Sequence, residues 1–441
     1  MLSYYFDLAI RSIKRTPFIS ALMIAALAAG VGMTVTMLSV YMQLSHDPAQ
    51  SLSKQPYALQ LQSHPASQGG SYGGAMRQLT YMDANAIQRQ RNDGATVVMF
   101  KSSFAAISPN TEIDPQFVEG RVTTRDFFEL FEPEFISGNV WSEQVDLEAD
   151  FVAVITESLA RSLYPGQEAV GQSITLNISE YRVIGVIKDF APQPKYYDLN
   201  NSAFDNGESV FVPFSLTPIA EISNSGNTNG WRAEVINSYE DFINSEYHWI
   251  QVWKAFDSPS QRESFDRWMR GYIDEQREAG RFPNPDASYF LRTSEEWLEI
   301  NGVVVDESRI LVMISALFLV VCIINTIGLL LGKFLKSAPA IGTRRALGAS
   351  QWQIFLQHIV EVSIIGFAGG LAGLVMASLV LSGLDRILSS GMGVSHLMLT
   401  QLHWSMWLWA PAIAIVSSVA AGLLPAWRIC RMPPSLYLKI Q

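Results

Sequence analysis

Four long stretches of this sequence contain almost no charged residues, and they constrain the fold more than any other feature. They cover residues 17–45, 310–332, 354–384 and 404–427. Each reaches or exceeds the ~20 residues that an α-helix needs to cross a bilayer. The first is longer than the roughly 7–15 apolar residues of a secretory signal, so we expect it to be retained. The sequence therefore predicts an α-helical membrane protein with four transmembrane helices.

A long polar region separates the first two stretches. Residues 46–307 hold 38 Asp/Glu and 19 Lys/Arg, which gives the region a net charge of −19. A region of this length can bury a core of its own. Both cysteines, Cys322 and Cys430, lie outside it, so we expect it to fold without disulfides. We predict a large mixed α+β extracytoplasmic domain between helices one and two.

The basic residues indicate the orientation of the helices. Lys and Arg cluster before helix one, between helices two and three, and after helix four, whereas the loop 385–403 has only Arg386, balanced by Asp385. Short loops rich in Lys and Arg stay cytoplasmic, so both termini are predicted inside the cell. The predicted segments are a cytoplasmic segment 1–16, helix one 17–45, the domain 46–307, helix two 308–334, a cytoplasmic loop 335–353, helix three 354–384, an outer loop 385–403, helix four 404–427 and a cytoplasmic tail 428–441.

Within the domain, β-rich runs bounded by turn residues predict strands. Residues 260–280 show the clearest helical periodicity, with Ser260 and Glu263 at capping-box spacing, and we expect their apolar face to pack on a sheet rather than form a ligand groove. We expect two lobes, with an insertion near 137–205. The predicted elements are a strand over 96–104, a strand running into a short helix over 152–164, a hairpin over 173–190, strands over 209–214 and 247–254, and a long loop over 215–245.

No motif in the sequence indicates catalysis. The run "GLLLGKF", 328–334, has three residues between its glycines where a phosphate-binding loop has four, so we interpret it as a helix end with Lys333 reaching the interface. The histidines are scattered, and His396 and His403 are interpreted as interface residues. We expect no catalytic residue, no metal site and no bound cofactor.

Small and polar residues in the apolar stretches suggest helix contacts. Gly366/Gly370 and Gly369/Gly373 form two overlapping small-xxx-small pairs, which let helices approach closely. These pairs could pack within one chain or form a dimer face. Asn325 and Glu361 are polar residues in apolar surroundings, where such residues usually have a specific reason. A structural ion pair or hydrogen bond is favoured over a proton relay.

The stretch "IGTRRALGAS", 341–350, places two adjacent arginines before small residues in the predicted cytoplasmic loop. This makes a short, positive and closely approachable surface that a cytosolic protein can bind. Anchoring by the positive-inside rule is the alternative. The candidate coupling residues are Ile341, Gly342, Thr343, Arg344, Arg345, Ala346, Leu347, Gly348 and Ala349.

These motifs resemble those of MacB/FtsX-type ABC transporter permeases. The match includes the stretch from Ile341 to Gly373, with Asn325 and Glu361, and the tail "GLLPAWRICRMPPSLYLK". The run "VITESLARSLYPGQEAVGQSITL" is similar to the MacB-like periplasmic core domain. Where the family usually has an acidic residue before Ile-Gly, this chain has Pro339-Ala340, and Pro433 and Leu436 replace acidic residues in the tail.

The resemblance implies a bacterial inner-membrane permease that couples to a separate ABC ATPase subunit, which would bind ATP and Mg²⁺. A second permease copy or paralogue is expected as a dimer partner, with a periplasmic adaptor and an outer-membrane channel as further partners, and no nucleic acid. The implied activity is export of a drug or peptide from the periplasm by mechanotransmission. Because residues 295–331 contain no proline, helix two could run unbroken from the domain as a transmission rod, with Gly302 as its weak point.

Three alternatives remain open at the level of sequence. A lipoprotein-releasing permease of the Lol type has the same architecture. An FtsX-type regulator would transmit ATPase motion to cell-wall hydrolases without transport, although its external domain is typically much smaller. A membrane-tethered enzyme is disfavoured by the missing catalytic motifs.

Overall fold

The computed structural model describes residues 2–65, 74–90, 94–303, 306–392 and 406–431. The chain divides into two compact units. Residues 1–45 and 304–441 form one, which we call the membrane unit, and residues 46–303 form the other, the inserted unit. The predicted fold class is confirmed, because a mixed α/β unit follows the first of four apolar helices in the chain.

The helices are numbered along the chain: α1 (Leu2–Arg15), α2 (Pro17–Leu44), α3 (Tyr81–Arg89), α4 (Asp126–Phe131), α5 (Glu143–Glu148), α6 (Glu157–Leu163), α7 (Tyr239–Ile243), α8 (Pro259–Glu278), α9 (Ser294–Ile300), α10 (Asp306–Ala346), α11 (Gln351–Met392) and α12 (Met406–Arg431). The strands are β1 (Tyr57–Leu61), β2 (Leu79–Thr80), β3 (Ala95–Ile107), β4 (Gln116–Thr123), β5 (Phe135–Gly138), β6 (Val152–Thr156), β7 (Ser173–Leu176), β8 (Ser179–Ile187), β9 (Val210–Pro213), β10 (His248–Ala255) and β11 (Tyr289–Thr293).

Four helices in the described chain are long and apolar enough to cross a membrane. The spans are Pro17–Leu44, Arg309–Arg345, Gln351–Leu384 and Met406–Arg431. The helices around them are longer than the sequence predicted. The segment 335–353, expected as a loop, is helical as far as Ala346 and again from Gln351. Likewise α11 continues to Met392 through half of the expected outer loop. Residues 393–403 of that loop, which include His396 and His403, and residues 432–441 of the tail lie outside the described residues.

The expected unbroken rod from the domain into helix two is wrong. Helix α9 ends at Ile300, and Gly302 has a φ of +68°. This left-handed backbone conformation is open to glycine without strain and ends a helix. Helix α10 then begins at Asp306, so the break falls at the glycine that the sequence marks as the weakest point.

In the described part of the inserted unit, eleven strands form one sheet in the order β11-β1-β10-β3-β4-β9-β6-β8-β5. Strand β2 pairs with β10, and β7 pairs with both β3 and β8. The five predicted strand regions match β3, β6, the β7–β8 hairpin, β9 and β10. These strands lie in one continuous sheet within the inserted unit. The two lobes and the insertion near 137–205 stay predictions.

The sheet is buried on both faces. Successive residues of β3 alternate between two apolar clusters, with Val98 and Phe100 in one and Val97 and Met99 in the other. Successive side chains on a strand point to opposite faces, so each cluster covers one face of the sheet. Burial on both faces explains why this strand reads as an apolar run rather than as an alternating pattern.

Helix α8 packs on the first of these clusters, as predicted. Its residues Phe265, Met269 and Tyr272 are buried in that cluster. The predicted cap is wrong by two residues. Ser258, not Ser260, caps the helix, because the Ser258 side chain accepts a hydrogen bond from the Gln261 N–H. Pro259 then occupies the first helical position, where its missing N–H costs nothing.

A network of five ionisable side chains lies inside the inserted unit; we call it the buried charge network. Arg121 on β4 contacts Asp198 at 2.5 Å and also Glu208. Lys195 lies 2.6 Å from Glu208 and 2.9 Å from Asp205. Burial alone would raise the pKa of Glu208, but the charges of Arg121 and Lys195 outweigh it and lower that pKa to about 2. The network holds the segment around residues 195–208 against the sheet.

Candidate functional site

The candidate coupling residues lie at a tight turn between α10 and α11. Gly348, with a φ of +101°, follows the end of α10. The Gly348 N–H donates to the Arg345 carbonyl at 3.1 Å, and the Ala349 N–H donates to the Arg344 carbonyl at 3.0 Å. This is the Schellman pattern, which satisfies the last carbonyls of a helix and favours glycine at this position.

The next helix begins at once. Ser350 and Gln353 form a reciprocal cap, in which the Gln353 N–H donates to Ser350 Oγ at 3.2 Å and the Ser350 N–H donates to Gln353 Oε1 at 3.1 Å. Both ends of the turn are therefore fixed by local hydrogen bonds. The sequence "LGASQWQ" builds a rigid connection between two helices rather than a flexible loop.

The exposed surface of this turn is apolar as well as basic. Leu347 is 83 % exposed and Trp352 is 65 % exposed, with the Trp352 ring stacked on Phe355. Arg344 is exposed, and its guanidinium donates to Gln357 Oε1 at 2.9 Å. We call Arg344, Leu347 and Trp352 the turn surface. Sequence reasoning missed Trp352, although an exposed aromatic residue next to basic residues is typical of protein interfaces.

Not all of the candidate coupling residues contribute to this surface. Ile341 and Gly342 are buried, Arg345 is half-buried, and Thr343 is exposed with its hydroxyl donating to the Pro339 carbonyl. The side chain of Ala346 lies outside the described set. The buried residues at the start of the stretch serve the packing of α10, whereas the three residues of the turn surface are exposed.

Glu361 forms a buried ion pair, which agrees with a structural role. Its Oε1 lies 2.6 Å from Lys333 Nζ and accepts a hydrogen bond from Ser12 Oγ at 2.6 Å. Lys333 also donates to Ser20 Oγ at 3.0 Å, and the His358 ring lies beside the carboxylate. Lys333 is 3 % exposed, so the expectation that it reaches the interface is wrong.

This polar cluster joins four helices at one end of the membrane unit. Ser12 lies on α1, Ser20 on α2, Lys333 on α10 and Glu361 on α11. An ion pair buried in this way resists separation, because removing one partner leaves a charge without compensation. The cluster ties both helices that carry the turn surface to the rest of the unit.

The four predicted glycines of α11 pack within the chain. A Cβ at Gly370 would lie 2.7 Å from Pro411 Cα on α12, and one at Gly366 would overlap Ser418 on the same helix. On the other side, a Cβ at Gly369 would lie 2.9 Å from Leu27 Cβ, and one at Gly373 would lie 3.1 Å from the Ala28 carbonyl oxygen of α2. The glycines therefore let α11 sit between α2 and α12, which occupies the surface that a dimer would need.

Asn325 lies apart from the cluster. It is exposed on the surface of α10, and its carboxamide makes no hydrogen bond among the described residues. The described residues also contain no group of His, Cys, Asp and Glu side chains that could hold a metal ion.

Two family models match this chain. The MacB-like periplasmic core domain matches residues 20–245, and the FtsX-like permease C-terminal domain matches residues 312–434. The first alone covers half of the chain. The first region covers most of α2 and the inserted unit up to residue 245, before β10, and the second covers α11, α12 and most of α10.

Relatives with established names are distant. The macrolide export ATP-binding/permease protein MacB of Syntrophobacter fumaroxidans (strain DSM 10017 / MPOB) is 22 % identical over 98 % of this chain. The pyoverdine export ATP-binding/permease protein PvdT of Pseudomonas entomophila (strain L48) is 24 % identical over 69 % of this chain. The chain spans 63 % of the length of the first relative and 40 % of the second.

Among solved structures, the periplasmic region of MacB from Actinobacillus actinomycetemcomitans covers 56 % of this chain and 92 % of its own length, at 14 % identity and a TM-score of 0.34.

Proposed function

Since this chain belongs to the MacB/FtsX-type family of permeases, we propose that it is the membrane subunit of an ABC exporter. In this proposal the turn surface docks on an ABC ATPase carried by a separate subunit, and the turn and both termini face the cytoplasm. The inserted unit lies in the periplasm, where it binds or displaces the substrate. Two permease subunits pair above two ATPase subunits.

The observation that supports this proposal is the turn surface itself. Arg and Trp are enriched among residues that dominate binding energy at protein interfaces. Here Arg344 and Trp352, with Leu347 between them, are exposed on a turn whose backbone is fixed by the caps at Gly348 and Ser350. Anchoring at the membrane surface explains the arginine, but it does not require an exposed leucine at the tip of a rigid turn.

Helix α10 provides a route for the movement. Its 41 residues from Asp306 to Ala346 correspond to about 60 Å at 1.5 Å per residue. A push at the turn surface displaces α10 and α11 together, because the Lys333–Glu361 pair joins the two helices. The movement then reaches the inserted unit through the chain around Gly302.

The substrate proposed is a drug, siderophore or peptide already outside the inner membrane. Two relatives are named for export of macrolides and of pyoverdine. The inserted unit is acidic, with a net charge of −17 over residues 46–303, which would raise the encounter rate with cationic compounds.

A deletion strain tests the proposed activity. We expect the deletion to increase sensitivity to a panel of macrolides and cationic peptides, and wild-type protein to restore resistance. The variant Arg344→Glu should restore it poorly, whereas Arg428→Glu, which changes an exposed arginine on α12, should restore it fully. Mislocalised lipoproteins with unchanged sensitivity would instead indicate lipoprotein release, and chains of undivided cells would indicate control of cell-wall hydrolases.

A further inference from the structure

Strand β11 forms one edge of the described sheet in the inserted unit. Its residues pair in unbroken antiparallel register with β1 on one side, and no described strand pairs with the other side. The opposite edge, β5, is interrupted by a register shift between Phe135 and Ser137. Proteins usually protect an edge strand with a bulge or a proline, and β11 has neither. Such an edge can accept a further strand from a partner.

The hydrogen bonds to β1 show which backbone groups of β11 point outward. The Gln62 N–H donates to the Ser288 carbonyl at 3.0 Å. In an antiparallel ladder every second residue bonds to the neighbouring strand, so the register counted from this bond gives the direction of each backbone group. The N–H and C=O groups of Tyr289 and Leu291 therefore point away from β1, at the spacing that an incoming strand requires.

A groove of about 900 Å³ lies beside this edge. One wall is formed by residues of α8 between Pro259 and Asp274. The other wall is β11 itself, including Leu291 and Arg292, which point to opposite faces of the sheet. The groove therefore follows the edge of the strand, and its volume lies in the range of ~300–1,000 Å³ that is typical of ligand sites.

Two of the three carboxylates that line the groove are already engaged by cations. Asp266 accepts a hydrogen bond from the Tyr289 hydroxyl at 2.5 Å and lies 2.9 Å from the Arg270 guanidinium. Asp274 contacts Arg277 on the next turn of α8. These pairs leave little negative charge to repel an acidic ligand.

Two arginines mark one end of the groove. The Arg262 guanidinium lies 5.1 Å from the centre of the Tyr57 ring, and the Arg292 guanidinium lies 4.5 Å from that of Phe290. Tyr57 pairs with Thr293, so both arginines lie near the last residues of β11. Guanidinium groups form strong hydrogen bonds with carboxylates. This end of the groove is therefore suited to an acidic side chain, although the inserted unit as a whole has a net charge of −17.

We propose that β11 and the flank of α8 bind an extended acidic segment of a partner protein, which adds to the sheet as a further strand. Its backbone bonds to Tyr289 and Leu291, and a carboxylate at one end lies between Arg262 and Arg292. The occupant is a polypeptide because the outward groups of β11 repeat at strand spacing. Its acidity separates it from the cationic compounds of the proposed function, and its binding does not depend on docking at the turn surface.

Peptide binding to the full chain in lipid nanodiscs tests this assignment. The probe is a fluorescent seven-residue peptide of alternating valine and threonine with a glutamate at each end, so that either strand direction brings a carboxylate to the two arginines. We expect saturable binding by fluorescence anisotropy. The same peptide with lysine in place of glutamate should bind about tenfold more weakly. The acidic peptide with a methylated backbone should not bind, because it cannot donate to β11.

Two matched pairs of variants locate the site. Leu291→Pro removes an outward N–H without breaking the ladder to β1, and we expect it to weaken binding about tenfold. Leu291→Ala keeps that N–H and should bind within about threefold of wild type. Arg262→Glu should also weaken binding, whereas Arg267→Glu, at an exposed arginine of α8 that does not line the groove, should not.

Absence of saturable binding to the wild type would overturn the proposal. So would undiminished binding by a folded Leu291→Pro variant, undiminished binding of the methylated peptide, or equal affinity for the acidic and lysine peptides. Thermal unfolding shows whether each variant is folded. If Leu291→Pro does not fold, the methylated peptide still decides the question on the wild-type protein.

Discussion

At the scale of single residues, the buried charge network gives the inserted unit its most sensitive positions. Glu208 is fully buried between Arg121 and Lys195, and Tyr197 also donates to it at 2.9 Å. Replacing Glu208 by Gln would leave two buried cations without a full counter-charge. We expect Glu208→Gln to lower the free energy of unfolding by about 3–5 kcal/mol, the usual effect of breaking a buried pair.

The matched control is Glu119→Gln, in which the same change is made at an exposed carboxylate 3.3 Å from Lys101. A surface pair of this kind contributes about 0–1 kcal/mol. Thermal unfolding of the detergent-solubilised protein, followed by tryptophan fluorescence, measures both variants. Similar losses from the two substitutions would show that the network does not stabilise the inserted unit.

His248 makes the stability of the inserted unit depend on pH. Burial lowers its pKa to about 4, while Ser63 lies 2.7 Å from its Nε2, and Asp83, His64 and Arg281 surround it. In the unfolded chain His248 takes up a proton near pH 6.5. In the folded chain it does so only near pH 4. The contribution of His248 to the free energy of unfolding is therefore complete above pH 6.5. It falls by about 3 kcal/mol as the pH is lowered towards 4.

The substitution His248→Gln should remove this contribution. We expect the difference in unfolding free energy between wild type and variant to shrink from pH 7 to pH 4, since groups common to both proteins cancel. A difference that stays constant over this range would mean that His248 is not held neutral in the fold.

At the scale of helices, the Lys333–Glu361 pair decides between a structural role and proton transfer. Glu361→Leu leaves Lys333 buried and unpaired, so we expect a loss of about 3–5 kcal/mol in stability and a lower yield of folded protein. The double variant Lys333→Met/Glu361→Leu replaces both charges by apolar groups and should recover most of the loss. If the double variant is stable but fails to restore resistance in the deletion strain, the pair has a role beyond holding the helices together.

The same pair shows where sequence reasoning ends. Periodicity and charge depletion predicted six of the eleven described strands of the inserted unit and the four apolar helices, because these patterns depend on near neighbours in the chain. Glu361 was recognised as an unusual residue, but its partner lies 28 residues away on another helix, and only packing selects it. For the same reason the glycines of α11 were identified without their neighbours, and the partners of Arg121 in the segment around residues 195–208 were not found.

At the scale of the whole molecule, the proposed function requires the membrane unit to receive force at one end. The turn surface is rigid, exposed and joined by the Lys333–Glu361 pair to four helices. The proposed function therefore depends most on docking of an ATPase at the turn.

Co-purification from native membranes tests this claim most directly. The variant Arg344→Glu/Trp352→Ala alters the turn surface, and Arg428→Glu/Trp427→Ala makes the same chemical changes at exposed residues of α12. We predict that an ABC ATPase co-purifies with wild type and with the α12 variant, and that the turn variant retains about tenfold less of it, the effect of ~1.4 kcal/mol in binding. Undiminished ATPase with the turn variant, or equal loss from both variants, would contradict docking at the turn.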